Sequence, residues 1–339
     1  MSNVKTKDGK IELMRFLACL MIMSDHMGTL GLKNLERPFR GTWVYVEFFL
    51  ILSGFFTAKH FINRTSGENK IENSVKYTIN KFKRFMPYTI VAVLIFYIVL
   101  YGDLITSMYF EKILEKFGDM PFEMFLLSAA GTNGTKLYTI WFFSATFLMT
   151  PFICMICQIK NKYIKLLLVF YPAVFYYLYR SHSIGSHDYP NQLIRAFCGM
   201  ALGVLVFLLT EYLNSLSLSK NWKILFTILT LLCYALLLFI GWRSLQPISV
   251  DLICFIIIVT LTFSKHTYLP SCSYKPLLYL GKLSMPMFIW HPVMATIIVQ
   301  SQSIGDDQVA LKICVYYLST LIISALSMLI FSRAPRKAA

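Results

Sequence analysis

Apolar runs separated by short polar and basic stretches fill almost the whole chain. Ten of them fall near 11–31, 43–62, 85–102, 137–159, 163–180, 190–212, 223–242, 247–264, 276–300 and 308–331. Each is long enough to cross about 30 Å of hydrocarbon as an α-helix. In lipid, backbone groups can bond only to one another, so the expected fold class is all-α: a polytopic membrane protein of about ten transmembrane helices. The run 121–130, PFEMFLLSAA, is too short to span and reads as an interfacial or re-entrant piece. No internal repeat, low-complexity tract or long linker divides the chain, which predicts a single membrane domain over 1–339 with its spans between 11 and 331.

Charge orients these helices. With the N-terminus in the cytoplasm, 20 of the 32 Lys and Arg fall in cytoplasmic segments and 8 on the opposite side, while Arg15, Arg195, Lys282 and Lys312 sit within helices. That asymmetry places both termini in the cytoplasm. Composition agrees: 57% of residues are hydrophobic and 14% charged, against about a quarter charged in soluble domains. The net charge of +15 is spread between the apolar runs, so it reads as topology control and nucleic acid is not an expected partner. The eight cysteines lie mostly inside apolar runs, which argues against a disulfide framework. Cys154 and Cys157 have no second pair nearby and read as small buried apolar residues. His182, His187 and Asp188 share one loop, but two histidines there are too few for an expected metal site. Asn63 and Asn133 each head an Asn-x-Thr triplet.

Against this apolar background, ionisable residues inside the spans carry the candidate chemistry. The first run contains RFLACLMIMSDH, with Arg15 and His26 eleven residues apart. Eleven residues turn a helix by about 1100°, so both side chains point the same way, about 16 Å apart. Arg15 then sits near the cytoplasmic end and His26 well into the membrane. Two readings stay open: snorkelling and helix–helix hydrogen bonding, or a polar path along one face. Asp25 lies about 100° around the helix from His26, and its role is undecided. In the second run, WVYVEFFLILSGFF, Glu47 needs a partner, and His26 on the neighbouring helix is the expected one. Ser53 and Gly54 form a notch suited to a closely approaching backbone or ligand. Lys81 and Arg84, three residues apart before Pro87, form either a positive flank or an anion-binding pair. Ser284, Trp290 and His291 fall in the ninth run, where Pro292 frees a backbone carbonyl.

Taken in order, these pieces resemble the acyltransferase-3 family of bacterial multi-span membrane proteins. Arg15 and His26 match its Arg-x10-His pattern, and FFLILSGFF (Phe48 to Phe56) its FFxxSGF run. Lys81-x-x-Arg84 corresponds to a basic pair before the third helix, with Lys where Arg is common. LYTIWFFSATF and SMPMFIWHPV echo two later elements, and the resemblance runs from about residue 10 to 331.

The resemblance implies an O-acyltransferase of the bacterial inner membrane. It would move an acyl group, usually acetyl, from cytoplasmic acetyl-CoA to hydroxyls of an exported carbohydrate or lipid-linked glycan. On that reading Arg15, Lys81 and Arg84 hold the anionic groups of the donor. His26 is the general base or acyl carrier, Glu47 orients it, and His291 with Ser284 completes the site. Two other classes compete. One is a proton-coupled transporter or flippase using Arg15, Glu47 and His26 as a relay, though the matched halves common in transporters are absent. The other is a structural subunit of a glycan-export complex, which needs no intramembrane ionisable cluster.

Overall fold

The computed structural model describes residues 8–32, 42–62, 69–107, 109–130, 135–179, 191–240, 248–305 and 307–332. The His182–Asp188 loop and both Asn-x-Thr asparagines lie outside them. Among the described residues every regular element is helical: α1 (Gly9–Asp25), α2 (Tyr45–Phe61), α3 (Lys70–Phe82), α4 (Met86–Leu100), α5 (Gly102–Thr106), α6 (Phe110–Phe117), α7 (Met120–Met124), α8 (Ile140–Cys157), α9 (Lys162–Tyr179), α10 (Asn191–Ser215), α11 (Lys220–Ile240), α12 (Ile248–Thr262), α13 (Lys275–Ser301) and α14 (Val309–Ser332).

The distribution of polarity is that of a protein solvated by lipid. Glu47, Arg195, Ser144, Ser284 and His291 are wholly buried, whereas Leu178, Leu318 and Ile330 stand mostly exposed on the outer faces of α9 and α14. In water such an arrangement would expose apolar surface and hide charge; in a bilayer it is the stable one. Among the described residues five helices are long and apolar enough to cross a membrane, in α8, α10, α11, α13 and α14. A sixth span is formed if α3 and α4, bent by 51° at their junction, are counted together. The other expected spans are shorter or less apolar. α1 and α2 have 17 residues each, α12 has 15, and α9 is tyrosine-rich.

Several expected boundaries shift for local reasons. The first run is not one helix to residue 31: α1 stops at Asp25, and His26–Leu30 tighten into a 3-10 turn closed by Gly31 at φ +81°. Glycine tolerates that left-handed backbone without a Cβ clash. The expected cytoplasmic loop 63–84 contains α3, capped by the Asn69 side chain on the Glu72 amide. Its apolar stripe Ile71, Val75 and Ile79 faces outward while Ser74 and Thr78 are buried, as suits a helix lying against lipid. The expected loop 103–136 holds α5, α6 and α7.

The site-forming helices are set by small residues. α1 is capped by Asp8, whose carboxylate accepts from the Lys10 amide at 3.0 Å. It then packs along α13, where Gly281 leaves room for Glu12. α2 runs alongside α10 through Gly199 and Gly203. A Cβ at Gly203 would collide with the Ile51 carbonyl, one at Gly199 with Leu50, and one at Gly54 with the Met200 carbonyl. The Ser53–Gly54 notch is thus filled on its glycine side by another backbone.

Candidate functional site

A cavity of about 420 Å³ lies among α1, α2, α8, α13 and the bend between α3 and α4. Arg15, Lys81 and Arg84 line it, together with Glu12 and a wall of phenylalanines. Two of the three cations are held by side-chain partners. The Arg15 guanidinium donates through Nη1 to Glu12 Oε2 at 2.8 Å, one turn back on α1. Gly281 permits this, because a Cβ there would displace the Glu12 carboxylate. Lys81 Nζ donates to Ser53 Oγ at 2.7 Å, so the serine of the notch, unlike its glycine, belongs to the cavity. α3 is tied to α8 by Gln158, whose Nε2 donates to Ser74 Oγ at 2.9 Å and to the Lys70 carbonyl at 3.3 Å. The cavity thus presents three cationic side chains against one carboxylate.

The cavity's walls continue toward a pair of histidines. Phe288 lines the cavity, and His291 follows it one turn later on α13, with ring centres 5.9 Å apart. Phe142 lines it as well, one turn after Tyr138. Tyr138 stacks on His26 at 4.6 Å between ring centres, and the His26 and His291 rings are 5.2 Å apart. The deep end of the cavity is therefore about one helical turn, roughly 5 Å, from the imidazoles. Arg15 lines the cavity, and His26 lies beyond the wall that Phe142 and Phe288 form.

The hydrogen bonds fix the protonation pattern of both rings. His26 Nδ1 lies 2.8 Å from the Ile22 carbonyl and His291 Nδ1 3.2 Å from the Met287 carbonyl. A carbonyl only accepts, so each Nδ1 carries a hydrogen and each Nε2 of the neutral ring offers a lone pair. The buried Nε2 of His291 has no hydrogen-bond partner among the described residues. A buried lone pair without a donor is costly.

Two expected members are not brought to this centre. Glu47, the expected partner of His26, lies instead between α2 and α10. Its Oε1 accepts from Arg195 Nε at 2.6 Å and its Oε2 from the Tyr177 hydroxyl at 2.5 Å. The helix pairing explains the correction. Leu50 sits at the Gly199 notch, and stepping back one turn on each parallel helix puts Glu47 opposite Arg195. Arg195 also lies over the Trp141 ring, 5.0 Å from its centre. Ser284 is buried, but its hydroxyl donates to the Gly281 carbonyl of its own helix at 2.8 Å and is thereby occupied away from the histidines. Cys154 and Cys157 are buried in α8, as their surroundings suggest.

Other contributors were not singled out from sequence: Glu12, Gln158, Tyr138, Tyr177 and Arg195. Only Arg195 carries a visible signal, a charge four residues before the Gly199-x-x-x-Gly203 motif that brings helices together. Tyr138 precedes α8 in an aromatic-rich stretch where nothing marks it out.

Fold and site together define a helical membrane protein with a chamber lined by cationic side chains and, beyond its phenylalanine wall, a pair of histidines. The sequence profile of the acyltransferase-3 family, an acyltransferase domain, matches residues 8–329, nearly the whole chain. The chain belongs to that family and is a membrane acyltransferase. No curated protein and no solved structure matches it.

Proposed function

We propose that the chain moves an acyl group, acetyl in the first instance, from cytoplasmic acyl-CoA to a hydroxyl of an exported carbohydrate or lipid-linked glycan. The setting is a bacterial inner membrane, with the Arg15 end of α1 toward the cytoplasm and both termini there. One observation carries this reading: Arg15, Lys81 and Arg84 share a cavity whose deep wall is one turn from His26 and His291.

The residues divide the work by depth. Arg15, Lys81 and Arg84 bind the donor's phosphates by charge-assisted hydrogen bonds, with Arg15 pre-oriented by Glu12. The phenylalanine walls suit the flexible arm that ends in the thioester. His26 Nε2 takes the proton of the acceptor hydroxyl as its oxygen attacks the thioester carbonyl. A carbon–oxygen bond forms, the carbon–sulfur bond breaks, and the proton passes from His26 to the departing thiolate. His291 Nε2, able only to accept, takes a hydrogen bond from a second hydroxyl of the acceptor, because the attacking hydroxyl's one proton goes to His26. Proton transfer by a positioned histidine contributes about 10²–10⁴-fold. Glu47 stays outside this mechanism, because both its oxygens are engaged by Arg195 and Tyr177.

The test is mass spectrometry and proton NMR of surface glycans from a deletion strain, complemented with the wild-type chain or with His26→Ala. Ester-linked acyl groups are expected to vanish on deletion and return only with the wild type. Unchanged glycans, with altered movement of a solute instead, would replace this reading by transport.

A further inference from the structure

The short segment that cannot span the membrane contains a carboxylate the mechanism above does not use. Glu123 in α7 is 0% exposed. Its Oε1 accepts from the Lys136 amide at 2.5 Å and from the Tyr97 hydroxyl at 3.1 Å, and its Oε2 accepts from the Leu137 amide at 3.1 Å. Two consecutive backbone amides on one carboxylate fix both the position and the rotation of the strand that enters α8. The next residue is Tyr138, whose ring lies on His26.

A second anchor holds the same segment. Ser144 Oγ donates to the Leu126 carbonyl and accepts from the Ala129 amide, both at 2.8 Å. Leu126 has φ +60°, a conformation that costs a residue with a Cβ roughly 1 kcal/mol or more, so surrounding bonds must impose it. Ser144 fastens the segment to α8 and Tyr97 fastens Glu123 to α4, leaving Glu123 as the bridge from this frame to residues 136–138. Among the described residues the His26 ring has one hydrogen bond, to Ile22, and ring contacts with Tyr138 and His291.

We propose that Glu123 is a positioning residue of the acyl-transfer site: by holding the Lys136 and Leu137 amides it presses Tyr138 onto His26 and keeps that imidazole in its reactive orientation. The claim rests on the acyl-transfer reading for its catalytic consequence, but its geometric part can be tested without any turnover. Charge alone is not what matters here. A glutamine keeps the size yet offers one acceptor oxygen and turns an N–H toward an amide that is itself a donor, so one of the two amides is released.

The experiment uses the full chain in nanodiscs and follows diethyl pyrocarbonate modification of individual histidines by peptide mass spectrometry. His60 on α2, packed against Tyr77, is the internal reference. Losing the clamp is expected to raise the His26 rate about fivefold in Glu123→Ala and about threefold in the size-preserving Glu123→Gln, with His60 unchanged. Tyr138→Ala should give the same rise, and adding Glu123→Ala to it should add nothing, because both act through one contact. In acetyl transfer both Glu123 variants should lose about tenfold or more in kcat with the donor KM unchanged, since the cationic chamber is untouched. A His26 rate equal to wild type in folded Glu123→Gln and Glu123→Ala overturns the proposal, as does a rise that adds to that of Tyr138→Ala. If the wild-type chain transfers no acyl group while the labelling follows the expected order, the clamp stands and only the acyl-transfer reading falls.

Discussion

His26 and His291 come from opposite ends of the chain and meet with ring centres 5.2 Å apart, each bonding through Nδ1 to the carbonyl four residues behind it. The shared local geometry leaves two basic nitrogens of the same kind side by side, next to a chamber lined by three cations. Two such lone pairs make a site for removing and guiding a hydroxyl proton, and the consequences can be measured separately.

Removing either imidazole should damage transfer unequally. His26→Ala is expected to lower kcat about 10³-fold, and His291→Ala about tenfold, in acetyl transfer by the protein reconstituted in liposomes. The double variant should be little worse than His26→Ala, because His291 orients the acceptor that His26 deprotonates. Equal effects of the two single variants would mean that His291 shares the base role with His26.

The chamber cations should govern donor binding rather than the chemical step. Lys81→Ala and Arg84→Ala are each expected to raise the acetyl-CoA KM by about 10-fold or more, as charged hydrogen bonds contribute about 1.5–3 kcal/mol. Titration of donor concentration at fixed acceptor separates KM from kcat.

Gly281 provides a test at the α1–α13 contact. Gly281→Ala places a methyl group against the Glu12 carboxylate and backbone, so Glu12 must move with its stretch of α1 and release Arg15. The donor KM is expected to rise severalfold and Arg15→Ala to add little to it, as measured by the same titration.

The Glu47–Arg195 pair should matter for stability instead. Removing one partner leaves the other as an uncompensated buried charge, at a cost of about 3–5 kcal/mol. Glu47→Ala and Arg195→Ala should therefore each lower the unfolding temperature in detergent. The variant with both replaced by apolar residues of similar size should recover most of the loss. A selective fall in kcat with unchanged unfolding would return Glu47 to the catalytic site.

The α2–α10 crossing should tolerate no side chain at its closest point. Gly203→Ala is expected to destabilise by about 1–3 kcal/mol or more, because a new Cβ meets the Ile51 carbonyl rather than a flexible side chain. Thermal unfolding of the purified variant measures it.

Much of this protein was readable along the chain. Length and uninterrupted apolarity determined the helical membrane class, because lipid leaves the backbone no other way to satisfy itself. The eleven-residue spacing predicts that Arg15 and His26 share a face, because α1 keeps a fixed pitch up to Asp25 and His26 caps its end. Lys81 and Arg84 were visible as a pair for the same local reason. The partners of charged groups were not legible. Glu47 was expected to face His26, yet it bonds Arg195, because Gly199 and Gly203, far downstream, decide which helix lies against α2. Which ring covers His26 is likewise settled by contacts between segments far apart in sequence. Periodicity reports which side of a helix a residue occupies; only the packed bundle decides what stands opposite.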